Sequence, residues 1–130
     1  QSSIKVKLDV PNVFPWEELK PNVQNNILNI LREALNNIRK HAKASHVKIN
    51  FLYKQQQLHV TIEDNGQGFD ISHLDNSTKS QFGLKIMGER AAEIGATIDI
   101  ESIVGKGSRV ILDVPIRGGE KFDENETDVG

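Results

Sequence analysis

There is no cysteine in this chain. Disulfides, thiolate nucleophiles and Cys-ligated zinc are excluded together. The absence also fits a reducing compartment. No apolar run approaches the roughly 20 residues that a bilayer-spanning helix needs. No charged start followed by an apolar core marks a secretory leader. Nor is there an excess of base: 16 Lys and Arg stand against 18 Asp and Glu, a net charge of −2. That is far from the basic footprint of a nucleic-acid binder. Internal repeats are missing, and so is an initiator Met before Gln1, so the sequence is expected to be a piece of a longer protein. What remains, 130 residues with 37% hydrophobic and 26% charged, is the composition of one soluble globular domain. The charge is uneven. Residues 117–130 hold two bases against five acids, a net −3, which leaves +1 on residues 1–116. With only Phe122 and Val129 as sizeable apolar side chains, this tail is expected to be disordered.

Hydrophobic periodicity orders the rest. Ile4, Val6, Leu8 and Val10 alternate with polar residues and predict a half-buried strand. Pro11, Pro15 and Pro21 punctuate a loop, with a helical turn expected around Trp16–Leu19. Ile27, Leu28, Leu31, Ala34, Leu35 and Ile38 recur at helical spacing and predict an amphipathic helix over about 23–41, with Asn22 as its N-cap. Residues 46–63 alternate on either side of the polar stretch Lys54–Gln57, which predicts a hairpin. Residues 64–82 have no sustained period, and a structureless stretch of that length inside a compact domain is usually a functional loop or lid. Leu84, Met87, Ala91 and Ile94 mark a second helix, stopped by Gly95. Two final strands flank Gly105-Lys106-Gly107. The order β, α, β, β, lid, α, β, β predicts an α+β fold, a two-layer sandwich whose mixed, mostly antiparallel sheet carries helices on one face. Doubly wound α/β is disfavoured, because neighbouring strands are joined by turns too short for parallel crossovers.

Four motifs could carry chemistry. On the first helix Glu33, Asn37, Lys40 and His41 occupy one arc of roughly 100°, away from the apolar stripe. Glu33 can orient or deprotonate a nucleophile. Asn37 can give Mg²⁺ a neutral oxygen, with Asn36 as a competitor about 60° from Glu33 on the helix wheel. Lys40 can meet a phosphate. Taken alone, the arc also describes a solvated helix face. In Asp64-Asn65-Gly66-Gln67-Gly68-Phe69, Asp64 follows an alternating strand. Its carboxylate is expected at the buried end, able to accept from an exocyclic amine such as adenine presents. Gly66 and Gly68 allow close backbone approach, although Asn-Gly is also an ordinary turn signal. Gly83, before Leu84 and Met87, begins a helix directly after the lid, and free amides there favour an anion. Leu84 and Met87 face the core or a base-binding wall. Gly105-Lys106-Gly107-Ser108 lacks the upstream glycine of a Walker A loop, but Ser108 offers a hydroxyl. His46, His59 and His73 do not converge.

Together and in this order, the motifs resemble the ATP-binding catalytic domain of sensor histidine kinases, in the wider family of gyrase, Hsp90 and MutL. Glu33-Ala34-Leu35-Asn36-Asn37 with Lys40-His41 resembles the N box and Asp64-Asn65-Gly66-Gln67-Gly68 the first glycine box. Phe82-Gly83-Leu84-Lys85-Ile86-Met87 with Glu89-Arg90 resembles a later glycine box, and Gly105-Lys106-Gly107-Ser108 the final one. Arg32-Glu33-Ala34-Leu35, Lys40-His41-Ala42 and the short lid followed by Gly-Leu-x-x-Met are similar to the subgroup of the nitrate/nitrite sensors and DesK. Two features depart from the pattern: the lid has no separate Phe-rich box, and Ser108 stands where Thr is more usual.

The resemblance covers about residues 4–116 and implies the Bergerat fold, ATP or ADP with Mg²⁺, and a domain at 1–116. It implies Asn37 on Mg²⁺, Asp64 on adenine N6, Lys40 and His41 at the phosphates, and Glu33 as the catalytic residue. Gly66, Gly68 and Gly83 would shape the pocket and lid, with Phe69, Leu84, Met87 and Ser108 in the nucleotide site. The implied reaction moves the γ-phosphoryl group to a histidine on a dimerisation domain that this sequence does not contain. The isolated chain is therefore expected to bind nucleotide without autophosphorylating. The implied partners are that phosphoacceptor domain and a response-regulator receiver domain, with no nucleic acid and no direct membrane contact. The implied location is cytoplasmic, in a parent anchored in the bacterial inner membrane. The alternatives are a self-contained ATPase of the same superfamily, an anti-sigma-type serine kinase, and a binding module without catalysis.

Overall fold

Five strands form one sheet in the order β1-β2-β3-β5-β4, and helices cover one of its faces. The structure is a computed structural model, and it describes residues 3–11 and 14–116. The strands are β1 (Lys5–Asp9), β2 (His46–Lys54), β3 (Gln57–Asp64), β4 (Thr97–Ile103) and β5 (Gly107–Pro115). Only β1 runs parallel to its neighbour, reaching β2 through α1 (Pro21–Asn37); the other pairings are antiparallel. The sheet is therefore mixed and mostly antiparallel, as the short connections required. The expected tail lies outside the described residues.

The core follows from two periods meeting. Val23, Ile27, Ile30 and Ala34 bury one stripe of α1. Met87 and Ala91 do the same on α3 (Leu84–Glu93). Against them β3 presents Leu58, Val60 and Ile62, and β5 presents Leu112 and Val114, all buried. Asp64 falls on the same side of β3 as Leu58, Val60 and Ile62, so the strand alternation that fills the core also delivers a carboxylate to its end.

Several local expectations change. Strand β1 forms, but Val6 is 56% and Leu8 59% exposed, so it is not half-buried. The helices pack over β3 and β4, and two helices are too narrow to cover an edge strand as well. Asn22 is not the N-cap. Lys20 holds that position with Pro21 opening the helix, and Asn22 Oδ1 accepts from Asn26 Nδ2 at 3.0 Å. The helix does not continue to residue 41 as α: Ile38–Ala42 is a π-helical turn. The lid is not structureless, because it holds a 3₁₀ turn (Ile71–His73) and the short helix α2 (Asn76–Gln81). In the β2–β3 hairpin, Gln55 and Gln56 both take positive φ, 54° and 61°.

Candidate active site

A cavity of about 220 Å³ opens between α1, the lid and the ends of β3 and β5. Its inner end is built around Asp64, which is 5% exposed. The Gly66 N–H donates to Asp64 Oδ1 at 2.7 Å, and the Ser108 hydroxyl donates to Oδ2 at 2.8 Å. Asp64 and Ser108 are paired across β3 and β5, so sheet register sets this contact. A buried carboxylate held by two donors is oriented, and each oxygen keeps a lone pair for a further donor. Ala34, Ile38, Ile62, Ile100 and Val110 give the cavity apolar walls.

The loop after Asp64 is locked to the π turn. Gln67 N–H donates to Ala42 O at 2.7 Å and Gln67 Nε2 to His41 O at 2.6 Å. Gly66 sits where that approach leaves no room: a Cβ there would lie 2.2 Å from Ala42 O. The π turn inserts one residue into the helical phase, as such bulges do at functional sites. It brings His41 to the cavity while Lys40 stays exposed on the same turn.

The outer end is aromatic. Phe82, the last residue of the lid, stacks on His41 with ring centroids 4.7 Å apart and planes 22° apart. Phe69 meets Phe82 edge-on at 5.3 Å. Asn37 Nδ2 donates to Phe82 O at 2.6 Å. Gly83 then takes φ +63° and starts α3, with the Glu33 carboxylate against it and no side chain capping the helix. At the other end of the lid, Asp70 is held below the ordinary carboxylate range, first by the Ser72 hydroxyl and then by His73.

Of the residues singled out in the sequence, Asn37, His41, Asp64, Gly68, Phe69, Leu84, Met87 and Ser108 line the cavity. Glu33 and Gly83 lie against one another, Gly66 lies close against the Ala42 carbonyl, and Lys40 is exposed and outside the cavity lining. Gln67 and Phe82 also line the cavity, and residue type marks neither as a site residue, although both stand inside the glycine-containing motifs. Their neighbours, glycines at fixed offsets, were the available signal.

The family model for histidine kinase-, DNA gyrase B- and HSP90-like ATPases matches residues 22–118. The chain belongs to this ATPase family. The cavity lies wholly within the matched residues. Among curated relatives, the sensor histidine kinase LiaS of Bacillus subtilis is 41% identical over 106 residues, 82% of this chain and 28% of that protein. The sensor protein VraS of Staphylococcus saprophyticus is 33% identical over 124 residues, 94% of this chain and 34% of that protein. The chain thus spans about a third of the length of the relatives it matches. The histidine kinase domain of the blue-light-activated kinase from Erythrobacter litoralis superposes with a TM-score of 0.75 at 24% identity, covering 94% of this chain and 55% of that one. The ATP-binding domain of PrrB from Mycobacterium tuberculosis gives 0.66 at 21%, covering 88% of this chain and 81% of that one. These two likenesses establish the fold of this family member. Among the described residues no helix is long and apolar enough to cross a membrane.

Proposed function

We propose that residues 1–116 form the ATP-binding catalytic domain of a sensor histidine kinase, which supplies the γ-phosphoryl group to a histidine on a separate dimerisation domain. The observation that carries this is the buried carboxylate of Asp64, fixed by Gly66 and Ser108 at the end of an apolar slot. An apolar slot takes a flat base, and an acceptor-only group at its end selects an exocyclic amine, as in adenine.

The donor set fits magnesium delivered with the nucleotide. Among the described residues no group of three or more His, Cys, Asp or Glu side chains could hold a metal ion, so the metal would bring its other ligands with it. Mg²⁺ takes one or two protein oxygens and completes its octahedron with phosphates and water. Asn37 supplies the neutral oxygen, and the metal, when bound, neutralises phosphate charge. Chemistry of this kind asks mainly for positioning and charge stabilisation. His41 faces the phosphates from the π turn, and Lys40 meets them where they leave the cavity. The uncapped start of α3 at Gly83 offers its amides to an anion. Glu33, one turn before Asn37, activates the acceptor.

In the parent protein the partners are the phosphoacceptor domain and a response-regulator receiver domain, and the location is the cytoplasmic side of a plasma-membrane sensor. Incubation with γ-labelled ATP tests the division of labour. The chain alone should gain no stable label, and a dimerisation domain supplied in trans should become labelled on histidine. Stable histidine label in the isolated chain, or rapid steady-state hydrolysis without a partner, would contradict the proposal.

A further inference from the structure

Asn37 uses one end of its carboxamide within the chain itself. Nδ2 donates to the backbone carbonyl of Phe82 at 2.6 Å. The residue that carries this carbonyl is fixed through its ring and through the residue after it. The Phe82 ring is stacked on His41 and meets Phe69 edge-on. The next residue, Gly83, is fixed in the left-handed region, and its own carbonyl accepts from Met87 N–H at 2.9 Å inside α3. A backbone carbonyl only accepts, so the group that meets it must donate. With Nδ2 turned to the lid, Oδ1 is the end of the carboxamide that Asn37 offers to the cavity it lines.

We propose that the Phe82 carbonyl is a positioning group. It sets the orientation of the Asn37 carboxamide and thereby couples closure of the lid to capture of the nucleotide's divalent cation. This rests on reading Asn37 as the metal ligand, and it explains a choice that metal affinity alone would not make. Aspartate would bind Mg²⁺ more strongly, but it has no proton to give the lid and would set a carboxylate against a carbonyl. Asparagine serves both contacts with one side chain. Closing the lid aims the metal ligand, and a bound metal in turn holds the lid's last residue in place.

Amide hydrogen exchange of the ligand-free chain separates this from a purely local role. Exchange across residues 74–83 is compared with exchange across β3 in the same sample, so that any global loosening cancels. Asn37→Ala removes the donor, and loss of one such hydrogen bond should speed lid exchange on the order of fivefold. Asn37→Asp also introduces repulsion and should speed it further, with β3 unchanged. Lid exchange within about twofold of wild type in both variants would overturn the proposal; the loss of one hydrogen bond normally exceeds that. The underlying reading fails differently. If Asn37→Ala keeps the full wild-type enhancement of ADP affinity by magnesium, Asn37 is not the metal ligand, whatever the lid does.

Discussion

Ser108 and Asp64 face each other across two antiparallel strands, and the serine hydroxyl donates to the carboxylate at 2.8 Å. This hydrogen bond, with that of Gly66, decides which way the lone pairs of Asp64 point. Ser108→Ala leaves Asp64 buried with one donor fewer. ADP affinity should fall about three- to tenfold, the value of one net hydrogen bond. Ser108→Thr keeps the hydroxyl and should remain close to wild type in the same titration.

Gly66→Ala tests the seam between the Asp64 loop and the π turn. The added Cβ would meet backbone, Ala42 O at 2.2 Å, rather than a side chain that can swing away. Forcing the two segments apart should cost about 1–3 kcal/mol, seen as a lower urea midpoint with an unchanged slope. Gln67 loses its two contacts to His41 and Ala42 at the same time, so nucleotide binding should weaken along with stability.

The β2–β3 hairpin turns through two residues of positive φ, yet neither Gln55 nor Gln56 is suited to it. A two-residue turn of this kind favours Asn-Gly. Replacing Gln55-Gln56 by Asn-Gly should stabilise the chain by about 1 kcal/mol. The hairpin is remote from the cavity, so ADP affinity should stay the same while the thermal midpoint rises by several degrees.

Asp70 gives the lid a pH dependence. Its pKa is depressed by Ser72 and then His73. A depressed carboxylate stabilises the fold above its ordinary pKa, and that contribution is lost as pH falls through the lowered value. The Ser72 amide, which donates to Asp70 at 3.1 Å, should therefore stay protected down to about pH 4 and lose protection only below the ordinary value of 3.8. Amide resonances followed through an acid titration check this, and Asp70→Asn should abolish the transition.

The sequence made the parts of this molecule that follow simple periods easy to read. Alternation from Leu58 to Ile62 located β3 and also carried Asp64 to the buried end of the strand, because a period of two places residues 58, 60, 62 and 64 on one face. Other features depend on relations that no local pattern records. Val6 and Leu8 alternate like core residues, but whether a helix covers them depends on the width of the layer above. A helix wheel puts Lys40 and His41 at the two edges of one arc of roughly 100°, but past the π turn at Ile38–Ala42 only His41 lines the cavity. Gln67 and Phe82 act through backbone carbonyls and ring faces, and neither residue type announces such a role. The short helix α2, with the polar sequence Asn76–Gln81, has no apolar stripe to reveal it.

Titration calorimetry with magnesium and ADP tests most directly whether Asp64 is the group that reads an adenine amine. The wild-type chain should bind ADP in preference to GDP. Asp64→Asn, which can turn a donor toward the base, should lose about 1–3 kcal/mol of ADP binding and most of that preference. Equal affinity of Asp64→Asn and wild type for ADP, or no binding of ADP to the wild-type chain at millimolar concentration, would contradict it.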